Sequence, residues 1–416
     1  MDMRPIVSTL FRHKTTTALI VLQIALCCAI VCNVLFLIGQ RLERMQRPSG
    51  VDESRIVTVQ IAGGAPGSDA AAIGRSDEAA LREVPGVSAA AATTLVPFGN
   101  GAWNNGLSLS ADQPQPNLSA STYMGGEQLF DALGLKLVAG RRFLPEEFVD
   151  WDPSGQSASK QDAQPAAIPA AILTRAVAQR LFPDGEAVGK TVYALDKTPL
   201  RVVGVVERLA RSRDNNDPAA YDYAMLLPAK LAYTGIAKYV LKVDDPSQRQ
   251  RAIDAAAAAL LRIDPSRVVI EENSKTLQQL REDYYQQDRA MSLLLGAVCA
   301  GLLVVTALGI VGLASFWVQQ RTRQIGVRRA LGATRRQILR YFQTENFLLT
   351  SAGIGLGMLL AYALNLGLMS AYELPRLPLA YLPFGALCLW SLGQAAVLWP
   401  ARRAASVPPA LATRAA

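Results

Sequence analysis

The chain has 416 residues, one histidine, five cysteines and a formal net charge of +8 at pH 7. Its excess of positive charge lies beside long apolar runs, whereas residues 41–290 carry a mildly negative net charge. A positive balance confined to such flanks marks membrane topology and argues against a nucleic-acid-binding protein. The single histidine, His13, lies beside Arg12 and Lys14, so we interpret it as an interfacial residue and not as a catalytic one.

Four apolar stretches are long enough to cross a bilayer, which takes about 20 helical residues. The first follows basic residues, as a secretory signal peptide would, but it is too long for an h-region and has no small-residue cleavage site before Arg41. It is therefore predicted to be a retained anchor. Arginines flank the outer ends, so residues 1–14 and 400–416 are expected in the cytoplasm. The predicted transmembrane helices are residues 15–40, 290–318, 341–371 and 379–399.

Residues 41–289 are predicted to form one large domain outside the cytoplasm. All five cysteines lie in the predicted spans, so this domain folds without disulfides, and its length is sufficient for a core in two lobes. Helical segments are expected at both of its ends. Residues 40–46 continue the first transmembrane helix up to Pro48, and residues 277–289 run directly into the second.

Between these ends, strand and helix patterns alternate along the chain. Polar, proline-rich residues 111–117 and 151–165 predict surface loops. The last strand, helix and strand form a β-α-β unit, which favours an α+β domain. The predicted fold is a membrane protein with four transmembrane α-helices and a large α+β extracytoplasmic domain inserted between helices 1 and 2. The pattern predicts strands at 55–61, 87–95, 168–173, 200–206, 236–243 and 267–271, and helices at 76–84, 175–182 and 246–263.

Residues 319–340 lie between the second and third predicted spans and form the most basic segment of the chain. They contain no acidic residue. Because Lys/Arg excess marks cytoplasmic loops, this linker is predicted to face an intracellular partner. Its seven arginines are Arg321, Arg323, Arg328, Arg329, Arg335, Arg336 and Arg340.

The remaining motifs indicate structural roles and no catalytic or metal site. Residues 184–191 resemble a phosphate loop, but three residues separate Gly185 from Gly189 where the Walker pattern needs four. We therefore interpret this segment as a turn and expect no ATP hydrolysis by this chain. Without His or Cys in the extracytoplasmic residues 41–289, no metal site is expected there. In the third span, Gly353 and Gly357 are four apart and predict close helix packing. Glu345 is predicted to pair with a nearby arginine at the cytoplasmic end of that span.

Several segments resemble one known family. Residues 320–338, QRTRQIGVRRALGATRRQI, are similar to the signature ER-x-x-EIG-x-x-(R/K)-A-x-GA-x-(R/K)-x-x-I of the MacB/FtsX-like permeases of ABC transporters, although Gln320 and Gln324 stand where the signature has acids. The segments FDALG with GRRF and VVGVV resemble the MacB-type periplasmic domain, and PARRAA resembles the tail after the last span. The resemblance covers nearly the whole chain.

The resemblance implies a non-catalytic permease subunit of the bacterial inner membrane with both termini cytoplasmic. A separate ATPase subunit would bind ATP, so no cofactor or metal is expected on this chain. The linker would act as an amphipathic coupling helix, with Ile325, Ala330 and Leu331 among its docking candidates. The residues expected to couple to the ATPase are Arg321, Arg323, Ile325, Gly326, Arg328, Arg329, Ala330, Leu331, Gly332, Arg335 and Arg336.

The resemblance also implies further partners and a mechanism. Two permease chains would pair, as a homodimer or a heterodimer, and movement of the linker would pass through the second span to the extracytoplasmic domain, which is mechanotransmission. In exporting members a periplasmic adaptor and an outer-membrane channel receive the substrate. The large MacB-type domain favours efflux or export. Lipoprotein release and control of cell-wall hydrolases stay open within the family, and a membrane-anchored periplasmic enzyme or sensor stays open outside it.

Overall fold

The computed structural model describes residues 14–64, 69–152, 168–195, 197–213, 217–372 and 376–406. The chain divides into two compact units. One is Arg47–Gln286, which we call the sheet-rich domain. The other is built from the residues on either side of it, and we call it the helical unit.

The described residues form ten α-helices and twelve β-strands. The helices are α1 (Lys14–Gln46), α2 (Ala70–Arg82), α3 (Leu129–Ala132), α4 (Arg175–Leu181), α5 (Arg249–Ile263), α6 (Leu277–Tyr284), α7 (Gln286–Gln320), α8 (Thr322–Ala330), α9 (Arg335–Tyr372) and α10 (Tyr381–Ala405). The strands are β1 (Ile56–Gly63), β2 (Val87–Ala92), β3 (Asn104–Leu107), β4 (Leu118–Gly125), β5 (Leu137–Gly140), β6 (Val149–Trp151), β7 (Ala170–Thr174), β8 (Thr191–Ala194), β9 (Thr198–Val206), β10 (Ala224–Leu231), β11 (Ile236–Val243) and β12 (Arg267–Val269).

Four helices of the helical unit are long and apolar enough to cross a membrane. Of the apolar stretch of α1, 56% is buried, against 17% for α7, so α1 is the packed centre and α7 exposes most of its side chains. The prediction of four transmembrane helices around an inserted α+β domain is confirmed. The candidate spans are Thr17–Gln46, Gln286–Gln320, Arg335–Gly367 and Tyr381–Ala405.

Glycines let α9 approach α1 closely. A Cβ added at Gly353 would lie 2.7 Å from the Cβ of Ile24, and one added at Gly357 would lie 2.5 Å from the Cβ of Cys28. Both distances are far below van der Waals contact, so only glycine allows this helix separation. Gly355, on another face of α9, has nothing within 4 Å of the same added atom.

The first lobe of the sheet-rich domain is a four-stranded antiparallel sheet of order β12-β1-β11-β2. Helix α2 connects β1 to β2, and α5 connects β11 to β12, so each β-α-β unit leaves room for another strand between its own two. This is the split β-α-β arrangement. The predicted β-α-β unit at residues 236–271 is thereby confirmed. Its core joins the inner residues of the sheet to both helices through Val59, Tyr239, Leu81, Ala256 and Leu260.

The second lobe is inserted between β2 and β11. Its mixed sheet has the order β3-β4-β10-β7-β9-β5, with β6 on β10 and β8 on β9, and α4 packs against β7 and β9. Residues 111–117 are irregular, as predicted, whereas residues 153–165 of the second predicted loop lie outside the described residues. The segment that resembles a phosphate loop is a turn from α4 to β8, in which the Gly189 N–H donates to the Val202 carbonyl at 2.7 Å.

One expectation for the end of the domain is wrong. The helix predicted at residues 277–289 does not run directly into the second span, because the helix breaks at Tyr285, with φ −94° and ψ 11°. The ring of Tyr285 is buried at 1% exposure, with its centroid 4.9 Å from that of Tyr284 and 5.9 Å from that of Phe98. The break lets two consecutive tyrosines pack in one aromatic cluster, which a straight helix would point about 100° apart.

Candidate functional site at the basic linker

The basic linker, residues 319–340, contains the short helix α8 and a tight turn, and its last residues belong to α9, which begins at Arg335 and not at residue 341 as predicted for the third span. α8 ends in a Schellman motif, in which the Gly332 N–H donates to the Arg329 carbonyl at 3.1 Å and the Ala333 N–H donates to the Arg328 carbonyl at 3.0 Å. Gly332 has φ 97°, a conformation that residues with a Cβ adopt at a cost. The sequence Leu-Gly-Ala after the helix therefore fixes where α8 ends.

The start of α9 is capped by its own side chains. The Gln337 N–H donates to the Thr334 Oγ1 at 3.3 Å, and the Thr334 N–H donates to the Gln337 Oε1 at 2.8 Å. This reciprocal pair is a capping box, which satisfies two backbone donors at a helix N-terminus. With both helix ends capped, the reversal from α8 to α9 is defined by hydrogen bonds and not by packing alone.

The inner face of α8 belongs to the apolar core of the helical unit and contacts α10 of the same chain. Ile325 is 6% exposed and belongs to the same apolar cluster as Ile338 and Phe342, and Gly326 is buried beside it. A cavity of about 140 Å³ lies in this region, and Tyr341 is among the residues that line it. Because Ile325 and Gly326 are buried in this core, they position the linker.

A buried ion pair ties the start of the linker to α9. The Nη1 of Arg321 lies 3.1 Å from each carboxylate oxygen of Glu345, and the two side chains are only 12% and 2% exposed. The guanidinium also lies 5.6 Å from the ring centroid of Trp317. Removing one partner of a buried pair typically costs about 3–5 kcal/mol, since the other charge is left uncompensated. The arginine partner expected for Glu345 is therefore Arg321.

The outer face of α8 and the turn after it combine apolar and positive side chains. Leu331 is 83% exposed and Val327 is 44% exposed. The guanidinium of Arg328 lies 5.2 Å from the ring centroid of Tyr341, so this arginine is supported by its own chain although it is exposed. Arg329 is half-buried. The remaining predicted coupling residues with exposed side chains, or an exposed glycine backbone, are Arg323, Ala330, Gly332, Arg335 and Arg336.

Sequence reasoning missed two features. One is the set of aromatic rings that contact arginines of the linker, and the other is an ion pair between α1 and the end of α7 that lies away from the linker. Arg41, near the end of α1, pairs with Asp288 at the start of α7, and Arg44 lies 3.6 Å from the same carboxylate. The Asp288 side chain is 10% exposed. The available signal was the presence of opposite charges at the facing ends of two predicted spans.

The outer face has side chains that can bind a protein partner. It presents an apolar patch surrounded by guanidinium groups, which can bind carboxylates with bidentate geometry. Among the described residues, no group of three His, Cys, Asp or Glu side chains could hold a metal ion.

Comparison with known proteins gives two family matches. A model described as the MacB-like periplasmic core domain matches residues 17–259, and one described as the FtsX-like permease C-terminal matches residues 296–409. The first match covers more than half of the chain, and the second includes the whole basic linker.

Among individual proteins, the macrolide export ATP-binding/permease protein MacB of Neisseria gonorrhoeae is 28% identical over 298 residues, which are 70% of this chain and 43% of MacB. The ABC transporter permease YvrN of Bacillus subtilis is 29% identical over 252 residues, 58% of this chain and 61% of YvrN. The chain thus spans less than two thirds of either relative.

Among solved structures, the periplasmic region of MacB from Actinobacillus actinomycetemcomitans is 18% identical and has a TM-score of 0.34, with 57% of this chain and 98% of that chain covered. The extracellular domain of the noncanonic ABC-type transporter YknZ from Gram-positive bacteria is 15% identical with a TM-score of 0.32, and 51% of this chain and 99% of that chain are covered.

Proposed function

Because the chain belongs to the MacB/FtsX-like permeases of ABC transporters, multi-pass membrane proteins that work with an ATPase, we propose that it transmits the ATPase cycle to its sheet-rich domain for export. The observation that carries the proposal is the linker, which is fixed on its inner face and exposes Leu331 and Val327 among arginines on its outer face. The ATPase would bind and hydrolyse ATP, and this chain would contribute no catalytic group.

The contacts of α8 support a mechanical role. A force on α8 would act on α9 through Ile325 and Phe342, and on the α7 junction through the Arg321–Glu345 pair. α7 is one helix of 35 residues, or about 50 Å at 1.5 Å per residue, and it joins the linker to the sheet-rich domain. Helices of this length transmit displacement along their axis, so movement of the linker would reach the domain through covalent structure.

The proposal extends to topology and assembly. We place the linker and both termini in the cytoplasm and the sheet-rich domain outside it, in a bacterial inner membrane. The exposed apolar side chains of α7 include Leu293 at 75%, Leu308 at 65% and Val305 at 60%. They support contact with lipid and with a second permease chain, identical or related. For export, an adaptor and an outer-membrane channel would receive the substrate.

The proposal is tested by placing a charge at the exposed leucine. Leu331→Asp should lower the apparent affinity for the ATPase at least about tenfold, because it removes an apolar contact and buries a carboxylate at the interface, and the loss of hydration of a buried charge costs several kcal/mol even beside arginines. Folding should be unaffected, since the side chain is 83% exposed. The measurements are co-purification with the ATPase and ATP turnover of the complex reconstituted in nanodiscs.

Two variants serve as controls for this experiment. Leu331→Met keeps an apolar side chain and should bind the ATPase as the original chain does. Leu109→Asp makes the same change at a leucine of the sheet-rich domain that is 41% exposed, and it should leave ATPase binding unchanged. Normal binding and turnover by Leu331→Asp would refute the coupling role of the linker.

A further inference from the structure

A cleft of about 240 Å³ lies where the two lobes of the sheet-rich domain meet. Gln60 of β1 and Lys238 of β11 line it from the first lobe, and Trp103 lines it from the segment before β3. The connection from β10 to β11 contributes Tyr233, which is 1% exposed. Most of the remaining lining residues are apolar or threonine, and none is acidic.

Gln60 and Lys238 project together from one face of the first sheet. They are directly opposite each other in the antiparallel ladder of β1 and β11, and opposite residues in such a ladder share a face. Their neighbours Val59 and Tyr239 point to the other face, into the core with α2 and α5. The pair therefore lies on the face of the sheet opposite the helices.

Both side chains have polar atoms that the described part of the chain does not satisfy. Gln60 is 9% exposed, and its buried Oε1 accepts no hydrogen bond from the described residues. Lys238 is half-buried, and among the same residues its ammonium group has neither a salt bridge nor a hydrogen bond. Burial lowers the pKa of Lys238, because a low-dielectric environment disfavours the charged form.

We propose that this cleft binds a small soluble ligand that has one carboxylate or phosphate group on an apolar or aromatic body. The anion would pair with the ammonium of Lys238, a donor group of the ligand would reach Gln60, and the body would lie against the indole of Trp103. A cleft of this size holds roughly ten non-hydrogen atoms at about 20–30 Å³ each. Such binding is independent of the coupling proposed for the linker and needs no ATPase.

The charge requirement is tested with three probes of one shape. They are 3-phenylpropanoate, 3-phenylpropan-1-ol and 3-phenylpropylamine, and each is titrated into the full chain in nanodiscs of zwitterionic lipid without ATPase. Calorimetry gives the affinities, and a fluorescence change that is absent in a Trp103→Phe variant reports on the cleft, because the chain has five tryptophans. The acid should bind about 10-fold to 100-fold more tightly than the alcohol, as expected for a charge-assisted hydrogen bond, and the amine should bind most weakly.

Variants separate the cleft from the rest of the surface. Lys238→Met retains the length of the side chain and should reduce affinity for the acid at least about tenfold while leaving that for the alcohol unchanged, and Lys238→Arg should retain most of the acid affinity. Lys242→Met is the matched control, since Lys242 lies four residues along the same strand and does not line the cleft. Circular dichroism confirms that each variant is folded.

Three results would overturn the proposal. The first is equal affinity of the original chain for the acid and the alcohol. The second is a folded Lys238→Met variant that binds the acid as tightly as the original chain. The third is no heat of binding and no change in tryptophan fluorescence with the acid up to about 10 mM.

Discussion

Replacing Gly357 by alanine tests whether the approach of α9 to α1 depends on a missing side chain. The added Cβ would lie 2.5 Å from the Cβ of Cys28 and 2.7 Å from the carbonyl oxygen of Ala25. Carbon atoms in contact are about 3.5–4.0 Å apart, so α1 and α9 would have to separate locally by about 1 Å or more. Gly355→Ala on the same helix is the matched control, because nothing lies within 4 Å of its added atom.

The two substitutions should differ in their effect on the free energy of unfolding only through overpacking of the added methyl group against α1. Alanine is about 1 kcal/mol more favourable than glycine in a helix interior, and this gain applies to both variants. Overpacking costs about 1–3 kcal/mol and applies only at Gly357. We therefore expect Gly355→Ala to be neutral or slightly stabilising and Gly357→Ala to be less stable than it by about 1–3 kcal/mol.

Native thiols report unfolding in this experiment. Cys27, Cys28 and Cys32 are at most 1% exposed, so a thiol-reactive dye labels them only when the helices separate. Cys388 is exposed and is replaced by serine to remove the background. The midpoint for detergent-solubilised Gly357→Ala should lie a few degrees below that for Gly355→Ala, at about 2–4 °C per kcal/mol. Equal midpoints, or a higher midpoint for Gly357→Ala, would refute the packing argument.

Three further predictions concern topology, stability and pH. A cysteine at Ser157, outside the described residues, should react with an impermeant thiol reagent in whole cells, whereas one at Thr334 should not, and the reverse labelling contradicts the topology. Asp77→Ala removes the nearer carboxylate from the buried guanidinium of Arg267, whose second ion-pair partner, Asp264, lies at 3.6 Å. It should lower local stability by up to about 3–5 kcal/mol, seen as faster amide exchange in β1 and β11, whereas unchanged protection would show that the Asp77 pair contributes little. The hydrogen bonds and ion pair with Arg141 lower the pKa of Glu147 in the folded protein. The pair therefore stabilises the fold at pH values above the unfolded pKa of about 4.3, and this contribution is lost as the pH falls through the pKa of Glu147 in the folded protein. Arg141→Ala should thus cost less than about 1 kcal/mol in local exchange at pH 7 and nothing well below pH 4, and a cost that persists at low pH would exclude this origin.

Local patterns predicted the elements of the fold. Long apolar runs predicted the four spans, and alternation of apolar and polar residues predicted β1. The strand and helix patterns of residues 236–263 predicted β11 and the helix after it, because burial on one face leaves the period of each element in the sequence. The strand order of the inserted lobe could not be read in this way. β10 pairs with both β4 and β7, which are distant in sequence, and such pairings leave no local signal.

The linker could also be predicted only in part from the sequence. Its position and charge were visible in the sequence, but the sequence did not show which apolar residues face inward. Ile325 and Leu331 are six residues apart, so at 100° per residue they would point about 120° apart on a helix, and either could have been the buried one. The choice depends on Phe342 and Ile338 of α9, which lie beyond the turn. The cleft at Lys238 was missed because it requires the register of β1 against β11.

The position of the inserted lobe has a consequence for how such chains can diversify. The lobe leaves the first sheet after β2 and returns at β11, and these two strands are hydrogen-bonded neighbours, with Ala92 opposite Tyr239. Its two ends are therefore held about one strand spacing apart, near 4.8 Å, whatever lies between them. A segment with adjacent ends can be lengthened, shortened or exchanged as a cassette without redesign of its host. Hybrid chains that combine this host sheet with inserted lobes from related permeases should therefore fold.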